Sequence, residues 1–229
     1  MIDCRAMSTI ALFDLDHTLI ADDSDALWGR FLVEQGVLDS EDYEREKQRF
    51  LSEYRQGRLD IEEFIRFALA PYAAHDYALL LQWRERFVEE KMRPLISDAA
   101  RALLDRHRDA GHVLLIVTAT NEFLTRPIAE LLEVEHFLAT PMERINGNYT
   151  GRTAGPPCFR EGKLFYLERW LEANEHDLEG SWFYSDSHND LPLLERVSNP
   201  VAVNPDETLR RIAGERDWPV VSLHDTDPV

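Results

Sequence analysis

Two aspartates, Asp14 and Asp16, follow the apolar run IALF and are separated by a single leucine. An extended backbone directs alternate side chains to the same face, so both carboxylates are expected on one side of the chain. Crowded carboxylates repel each other, and burial makes this worse because it raises their pKa values. A bound divalent cation would remove the conflict, so the pair predicts a metal site at the end of a strand.

Further polar residues lie near two later apolar runs. Thr118 follows HVLLIV, Asp186 and Asp190 follow SWFYS, and Lys163 lies upstream in REGKLF. Ligands of open α/β sheets bind outside the carboxyl ends of the strands, so these side chains are expected beside the first two aspartates. Mg²⁺ suits this set because one or two carboxylates, waters and substrate phosphate oxygens bind it. Thr118 and Lys163 would then donate hydrogen bonds and positive charge to a phosphate.

The segments between the first two apolar runs carry apolar residues at helical spacing. Their predicted starts are Ser24, Ser40, Asp60 and either His75 or Asp76. Gly36 and Gly57 are expected to end two of these helices. The pattern predicts a helical domain over 22–93, inserted into a core domain formed by 1–21 and 94–229.

The chain alternates between strand and helix patterns after Pro94. The pattern predicts, in order, a helix over 97–110, the strand HVLLIV, a helix through FLTRPIAELLEV, a hairpin turning at Asn146 and Gly147, a helix over 164–172, the strand SWFYS, and the strand VAV before a last helix. Strands that alternate with helices favour a doubly wound parallel sheet. The expected fold is therefore α/β and Rossmann-like, with an inserted helical cap.

The composition excludes several classes of function. The 229 residues include 25 basic and 43 acidic residues, a formal net charge of -18 that opposes binding to nucleic acid or to an anionic membrane. Cys4 and Cys158 provide no disulfide framework and no zinc-ligand spacing. We find neither a signal peptide nor an apolar run of about 18 residues. A cytoplasmic monomer or homodimer is expected, whose translation starts at Met1 or Met7.

The order DLDHT, IVTAT, Lys163 and DSHNDLP resembles the four motifs of the haloacid dehalogenase superfamily of phosphatases. The helical insert is similar to the cap of the branch that includes phosphoserine phosphatases. This resemblance implies that Asp14 is the nucleophile, which forms an aspartyl phosphate, and that Asp16 is the general acid and base. It also implies that Thr118 and Lys163 hold the phosphoryl group of a small phosphorylated metabolite.

The same resemblance implies a Mg²⁺ ion bound by Asp14, by the backbone carbonyl of Asp16 and by Asp186. Asp190 would support this metal site. The implied reaction is the hydrolysis of a phosphomonoester. Two alternatives remain open: phosphotransfer to another acceptor, as in mutases, and a receiver-type signalling domain that stores a phosphoryl group on an aspartate. Dehalogenation is disfavoured because displacement of a halide has no use for Asp16 as a proton donor.

The substrate is predicted less directly. Asp23 occupies the position at which phosphoserine phosphatases carry a glutamate that binds the substrate amine, although an acidic lead into the first cap helix explains it equally well. Asn189, in the fourth motif, is a second candidate for substrate binding. Ala119 and Thr120 replace the Gly-Gly pair of phosphoserine phosphatases, and SDSHND replaces a glycine-rich fourth motif.

Basic residues of the insert are candidates for binding a substrate carboxylate or a second phosphate. They are Arg49, Arg55, Arg58 and Arg66. Two histidines within the motifs, His17 and His188, occupy positions that the chemistry does not require, and a local polar role is expected for both.

Overall fold

The computed structural model describes residues 8–224 of the chain. Cys4 and the two candidate start residues, Met1 and Met7, lie outside the described residues. The strands are β1 (Ile10–Phe13), β2 (Val113–Asn121), β3 (His136–Thr140), β4 (Met142–Ile145), β5 (Asn148–Thr153), β6 (Trp182–Ser185), β7 (Asn199–Val203) and β8 (Val220–Val221). The α-helices are α1 (Ser24–Glu34), α2 (Ser40–Arg55), α3 (Ile61–Ala74), α4 (Tyr77–Phe87), α5 (Asp98–Asp109), α6 (Glu122–Leu131), α7 (Glu161–Asn174), α8 (Leu191–Leu194) and α9 (Glu207–Glu215).

Six strands form one sheet in the order β3-β2-β1-β6-β7-β8, and every neighbouring pair is parallel. The side chains of β1 alternate between two apolar cores: Ala11 and Phe13 pack on one face of the sheet, and Ile10 and Leu12 pack on the other. Helices cover both faces, as a parallel sheet requires. The predicted doubly wound α/β fold is therefore confirmed.

Helices α1 to α4 lie between β1 and β2 in the chain. Asp23, Asp39 and Asp60 are the N-caps of the first three, and each accepts a hydrogen bond from a backbone N–H of the following turn. Gly36 and Gly57 follow the ends of α1 and α2 with φ values of 71° and 66°, a conformation that glycine adopts without strain. The boundaries of the cap domain, 22 and 93, remain predictions.

The inserted helices share an apolar core with the sheet. The ring of Tyr72, in α3, lies 5.3 Å from the ring of Phe123 and 5.9 Å from that of Tyr149, in the hairpin formed by β4 and β5. Gly151 in the same hairpin approaches α3 so closely that an added Cβ would lie 3.1 Å from the Cβ of Ala73. The hairpin, whose turn was predicted at Asn146 and Gly147, thus joins the insert to the core.

Some element boundaries differ from the prediction. β2 continues past Thr118 to Asn121, because a bulge restores its pairing with β3 at Thr140. Thr118 therefore lies inside the strand and not at its end. α7 begins at Glu161, one turn earlier than expected, so Lys163 belongs to its first turn. No helix in the described range, 8–224, is long and apolar enough to cross a membrane.

Candidate active site

A cavity of about 710 Å³ lies beyond the carboxyl ends of β1, β2 and β6 and extends among α1, α2 and α3. Eight of the residues proposed from the sequence line it: Asp14, Asp16, Asp23, Thr118, Lys163, Asp186, Asn189 and Asp190. The residues come from segments that are far apart in the chain, and the parallel sheet brings them to one edge. Their common location is what the motif spacing predicted.

Lys163 joins two of the carboxylates. Its Nζ donates a hydrogen bond to Oδ1 of Asp14 at 2.8 Å and another to Oδ2 of Asp190 at 2.7 Å. The lysine is buried, with only 3% of its side chain exposed. Burial alone would lower the pKa of Lys163, but Asp14 and Asp190 raise it above its usual range. The ammonium group is therefore charged, and its pairing holds Asp14 in place.

The carboxylates of the site outnumber Lys163, the cation that pairs with two of them. Burial raises the pKa of Asp14, and Lys163 only partly opposes the change. Burial and the neighbouring charges of Asp14 and Asp190 raise the pKa of Asp186 well above its usual range. Burial raises the pKa of Asp190 to about 6, against the effect of Lys163. Its Oδ2 also accepts a hydrogen bond from Ser185 at 2.7 Å. Negative charge thus accumulates at the strand ends, as the sequence predicted.

Asp16 lies in a different set of contacts. Its Oδ1 accepts a hydrogen bond from the backbone N–H of Ser24 at 2.7 Å, and its Oδ2 accepts one from the hydroxyl of Thr120 at 2.6 Å. Burial and the charge of Asp23 raise the pKa of Asp16, while the two donors lower it. The carboxylate is half-buried, lines the cavity and is held on both oxygens.

The donors present fit a magnesium ion. Within residues 8–224, no three His, Cys, Asp or Glu side chains converge as a ligand cluster. Mg²⁺ does not need such a cluster, because it retains waters and takes one or two carboxylates together with phosphate oxygens. Asp14 and Asp186 supply two carboxylates that repel each other, and Thr18 donates to Asp186 Oδ1 at 3.3 Å. A hard divalent cation would offset this repulsion.

The two tentative substrate residues also have structural contacts. Asp23 caps α1 by accepting a hydrogen bond from the N–H of Ala26 at 2.8 Å, and it also lines the cavity. A capping role and a substrate-binding role of Asp23 are therefore compatible. Asn189 Oδ1 accepts a hydrogen bond from Arg160 at 2.9 Å, and its amide donates to Ser187 Oγ at 3.2 Å. Both side chains remain part of the cavity wall.

The basic residues singled out in the insert are not among the described lining residues. Arg49 pairs with Glu46, Glu53 and Glu63 on the helix surface instead. Arg58 and Arg66 are likewise absent from the described lining residues, and the side chain of Arg55 lies outside the described part of the structure. Among the described residues, Arg30 and Lys47 line the cavity together with Lys163, although neither belongs to a motif in the sequence. His17 lines the cavity, whereas His188 contacts Asp206 at 2.8 Å, a local polar role.

Aromatic side chains of α2 and α3 form part of the cavity wall. They are Tyr43, Phe50, Tyr54, Phe64 and Phe67. The Tyr54 hydroxyl lies 2.8 Å from Ser187 Oγ, in the loop between Asp186 and Asn189. The cavity wall therefore combines the carboxylates near the strand ends with aromatic side chains of the inserted helices.

A family model described as haloacid dehalogenase-like hydrolase matches residues 11–195. The chain is similar to a histidinol-phosphatase of Neisseria meningitidis, with 40% identity over 221 residues that cover 95% of this chain and 100% of the relative. It is also similar to a phosphoserine phosphatase of Mycobacterium tuberculosis, with 32% identity over 219 residues that cover 93% of this chain and 70% of that protein.

Two solved structures share the fold. A Bordetella pertussis protein of unknown function aligns with a TM-score of 0.90 and 41% identity, covering 96% of this chain and 100% of that chain. A substrate-bound phosphoserine phosphatase aligns with a TM-score of 0.69 and 17% identity, covering 95% of this chain and 93% of that chain. The second likeness concerns the fold alone.

Proposed function

This chain belongs to the haloacid dehalogenase-like hydrolase family and is one of its phosphatases, and from this premise we propose that it hydrolyses phosphomonoesters with Mg²⁺ through an aspartyl phosphate on Asp14. One observation carries the proposal: Lys163 holds Asp14 at the end of β1 by a 2.8 Å hydrogen bond, beside Asp186, whose pKa is raised by burial and by the charges of Asp14 and Asp190. This arrangement supplies a fixed nucleophile and a place for a cation.

The proposed reaction has two steps. In the first, an oxygen of Asp14 attacks phosphorus and the bond from phosphorus to the leaving oxygen breaks, while Asp16 gives that oxygen a proton. In the second, water attacks phosphorus, Asp16 takes a proton from the water, and the bond from Asp14 to phosphorus breaks. Inorganic phosphate leaves and both carboxylates return to their starting states.

The other lining residues have supporting roles in this proposal. Thr118 and Lys163 donate hydrogen bonds to the phosphoryl oxygens, and Asp190 orients Lys163 through their 2.7 Å contact. Asp14, Asp186 and the backbone carbonyl of Asp16 would hold the magnesium ion. When bound, the ion supplies positive charge that offsets the carboxylates and stabilises the negative charge of the transferring group.

We propose histidinol phosphate as the substrate. The support is the name of the Neisseria meningitidis relative and the chemistry of the cavity. Histidinol phosphate carries an amine and an imidazole ring but no carboxylate. Asp22, Asp23 and Asp25 line the cavity and suit a cationic amine, and the aromatic side chains of α2 and α3 suit a planar ring. Phosphoserine is the second candidate, named by the Mycobacterium tuberculosis relative.

The test measures phosphate release from histidinol phosphate, phosphoserine and p-nitrophenyl phosphate, with Mg²⁺ and after exhaustive chelation. Turnover that needs Mg²⁺ and is most efficient with histidinol phosphate is expected. Full activity after chelation would contradict the metal assignment, and a preference for phosphoserine would contradict the substrate assignment. Phosphotransfer to another acceptor uses the same phosphoenzyme, so added alcohols test it: formation of new phosphate esters in place of free phosphate would favour a phosphotransferase.

A further inference from the structure

Three groups hold one another at the junction of the insert and the sheet. Thr120, near the end of β2, donates from its hydroxyl to Asp16 Oδ2 at 2.6 Å, and the N–H of Ser24 donates to Asp16 Oδ1 at 2.7 Å. The hydroxyl of Ser24 lies 3.1 Å from that of Thr120. Ser24 is fully buried and Thr120 is 2% exposed. Bulk water therefore does not replace these contacts.

In the second proposed step Asp16 acts as a base, so its carboxylate is ionised and can only accept hydrogen bonds. The hydrogen of Thr120 is committed to Asp16, so the hydrogen between the two hydroxyls comes from Ser24. One donor on each oxygen stops the carboxylate from rotating about its Cβ–Cγ bond. Each oxygen keeps a further lone pair, which remains free for a proton in transit.

We propose that Thr120 is a positioning residue for Asp16, and that the hydroxyl of Ser24 orients Thr120. This inference rests on the proposed function, in which Asp16 gives and takes the proton. Thr120 occupies the position of a glycine in phosphoserine phosphatases. Unlike that glycine, it has a hydroxyl that can donate a hydrogen bond to Asp16. Because Ser24 belongs to α1, the first inserted helix fixes the same carboxylate from the other side.

The test compares Thr120→Val, Thr120→Ser and Thr120→Ala by rapid chemical quench with p-nitrophenyl phosphate. This ester has a leaving group that needs little protonation, so formation of the phosphoenzyme depends weakly on Asp16, whereas its hydrolysis needs Asp16 as base. Thr125→Val is the matched control, since Thr125 is a buried threonine whose hydroxyl donates to a backbone oxygen at 2.9 Å.

In Thr120→Val we expect phosphoenzyme hydrolysis to slow by about ten- to a hundredfold, the range for losing a hydrogen bond to a charged group. Formation should change by less than about threefold and KM should stay the same, so phosphoenzyme accumulates. Thr120→Ser should restore hydrolysis, and Thr125→Val should match the parent protein. Should Thr120→Val fail to fold, Thr120→Ser and Thr120→Ala carry the same comparison, because they differ by one hydroxyl.

Equal slowing of both steps in Thr120→Val, or an equal rate of hydrolysis in Thr120→Ser and Thr120→Ala, would overturn this inference. Failure of the proposed function gives a different result. In that case Asp16→Asn hydrolyses the phosphoenzyme as fast as the parent protein, or no phosphoenzyme forms on Asp14 at all.

Discussion

The hydroxyl of Tyr54 lies 2.8 Å from the hydroxyl of Ser187, so the end of α2 touches the loop that carries Asp186. This hydrogen bond links the insert to the core in the wall of the cavity. A wall that stays closed around a bound substrate would exclude water, which favours phosphoryl transfer. The contact should therefore influence how long a ligand stays bound.

Tyr54→Phe removes this hydrogen bond and keeps the aromatic ring. We expect KM for the preferred phosphate ester to rise by about two- to tenfold, as for the loss of one neutral hydrogen bond, with kcat little changed. Tyr77→Phe is the control, because Tyr77 packs against Tyr149 of the hairpin, with ring centroids 5.6 Å apart. Steady-state kinetics that show the same KM for Tyr54→Phe and Tyr77→Phe would contradict a role in enclosure.

Lys163→Met should abolish turnover and destabilise the protein by about 3–5 kcal/mol, since it leaves two buried carboxylates without their cation. The pKa values of Asp14 and Asp190 should then rise further in the folded state. A carboxyl group whose pKa is raised in the folded state stabilises the protein at low pH, and this stabilisation is lost as pH rises. The loss of unfolding free energy in Lys163→Met should therefore be larger at pH 8 than at pH 5. Urea unfolding at both pH values measures this free energy, with the surface variant Lys91→Met as control. A deficit that is the same at both pH values would argue against this pairing.

Asp186→Asn should stabilise the metal-free protein while it weakens the response to Mg²⁺. The pKa of Asp186 is raised mainly by burial, so in the metal-free protein its ionisation costs stability as pH rises above the unfolded value of about 3.9. Thermal unfolding with and without Mg²⁺ gives both effects, and the exposed Asp109→Asn serves as control. Equal stabilisation of Asp186→Asn and the parent protein by Mg²⁺ would exclude Asp186 as a ligand.

Asp16→Asn keeps the shape of the side chain and removes its proton transfer. Turnover should fall by about 10² to 10⁴, the usual range for general acid-base catalysis. Intact-protein mass spectrometry after an acid quench should find one added phosphoryl group in Asp16→Asn and none in Asp14→Asn. If the label lies on another residue, the assignment of the two carboxylates is wrong.

His107 provides a test of stability away from the cavity. Its Nε2 lies 2.8 Å from the Tyr184 hydroxyl, and burial, followed by His112 and Arg106, lowers its pKa to about 4. A histidine whose pKa is lowered by folding stabilises the protein at pH values above its unfolded pKa of about 6.5. This stabilisation is lost as pH falls towards the folded pKa. His107→Gln should therefore lose less stability than the parent protein between pH 6.5 and 4. A half-buried control, His75→Gln, should follow the parent protein.

The sequence predicts the order of strands and helices well. β1 is a continuous apolar segment, and capping aspartates mark the starts of inserted helices. The sequence also predicts that Asp14, Lys163 and Asp186 meet, since parallel strands end at one edge. β3 and β8 were not predicted: their segments, HFLAT and VV, are short and partly exposed, so they lack the continuous apolar pattern of a central strand.

Contacts between distant segments account for the other differences. The hydrogen bond between Thr120 and Asp16 joins residues 104 positions apart, and no local spacing indicates it. The pairing of Arg49 with Glu46, Glu53 and Glu63 likewise decides that this arginine stays on a helix surface. Such choices among possible partners depend on tertiary packing, which a single sequence leaves open.

The aromatic contacts of Tyr72 with Phe123 and Tyr149 limit how far this enzyme can be treated as a set of interchangeable parts. A graft of 22–93 alone onto a related scaffold would separate Tyr72 from its two ring partners and leave Gly151 facing an unmatched helix. The transplantable unit is therefore larger than the inserted helices. It includes α6, which carries Phe123, and the hairpin over 142–153, and an exchange of specificity between relatives has to move these segments together.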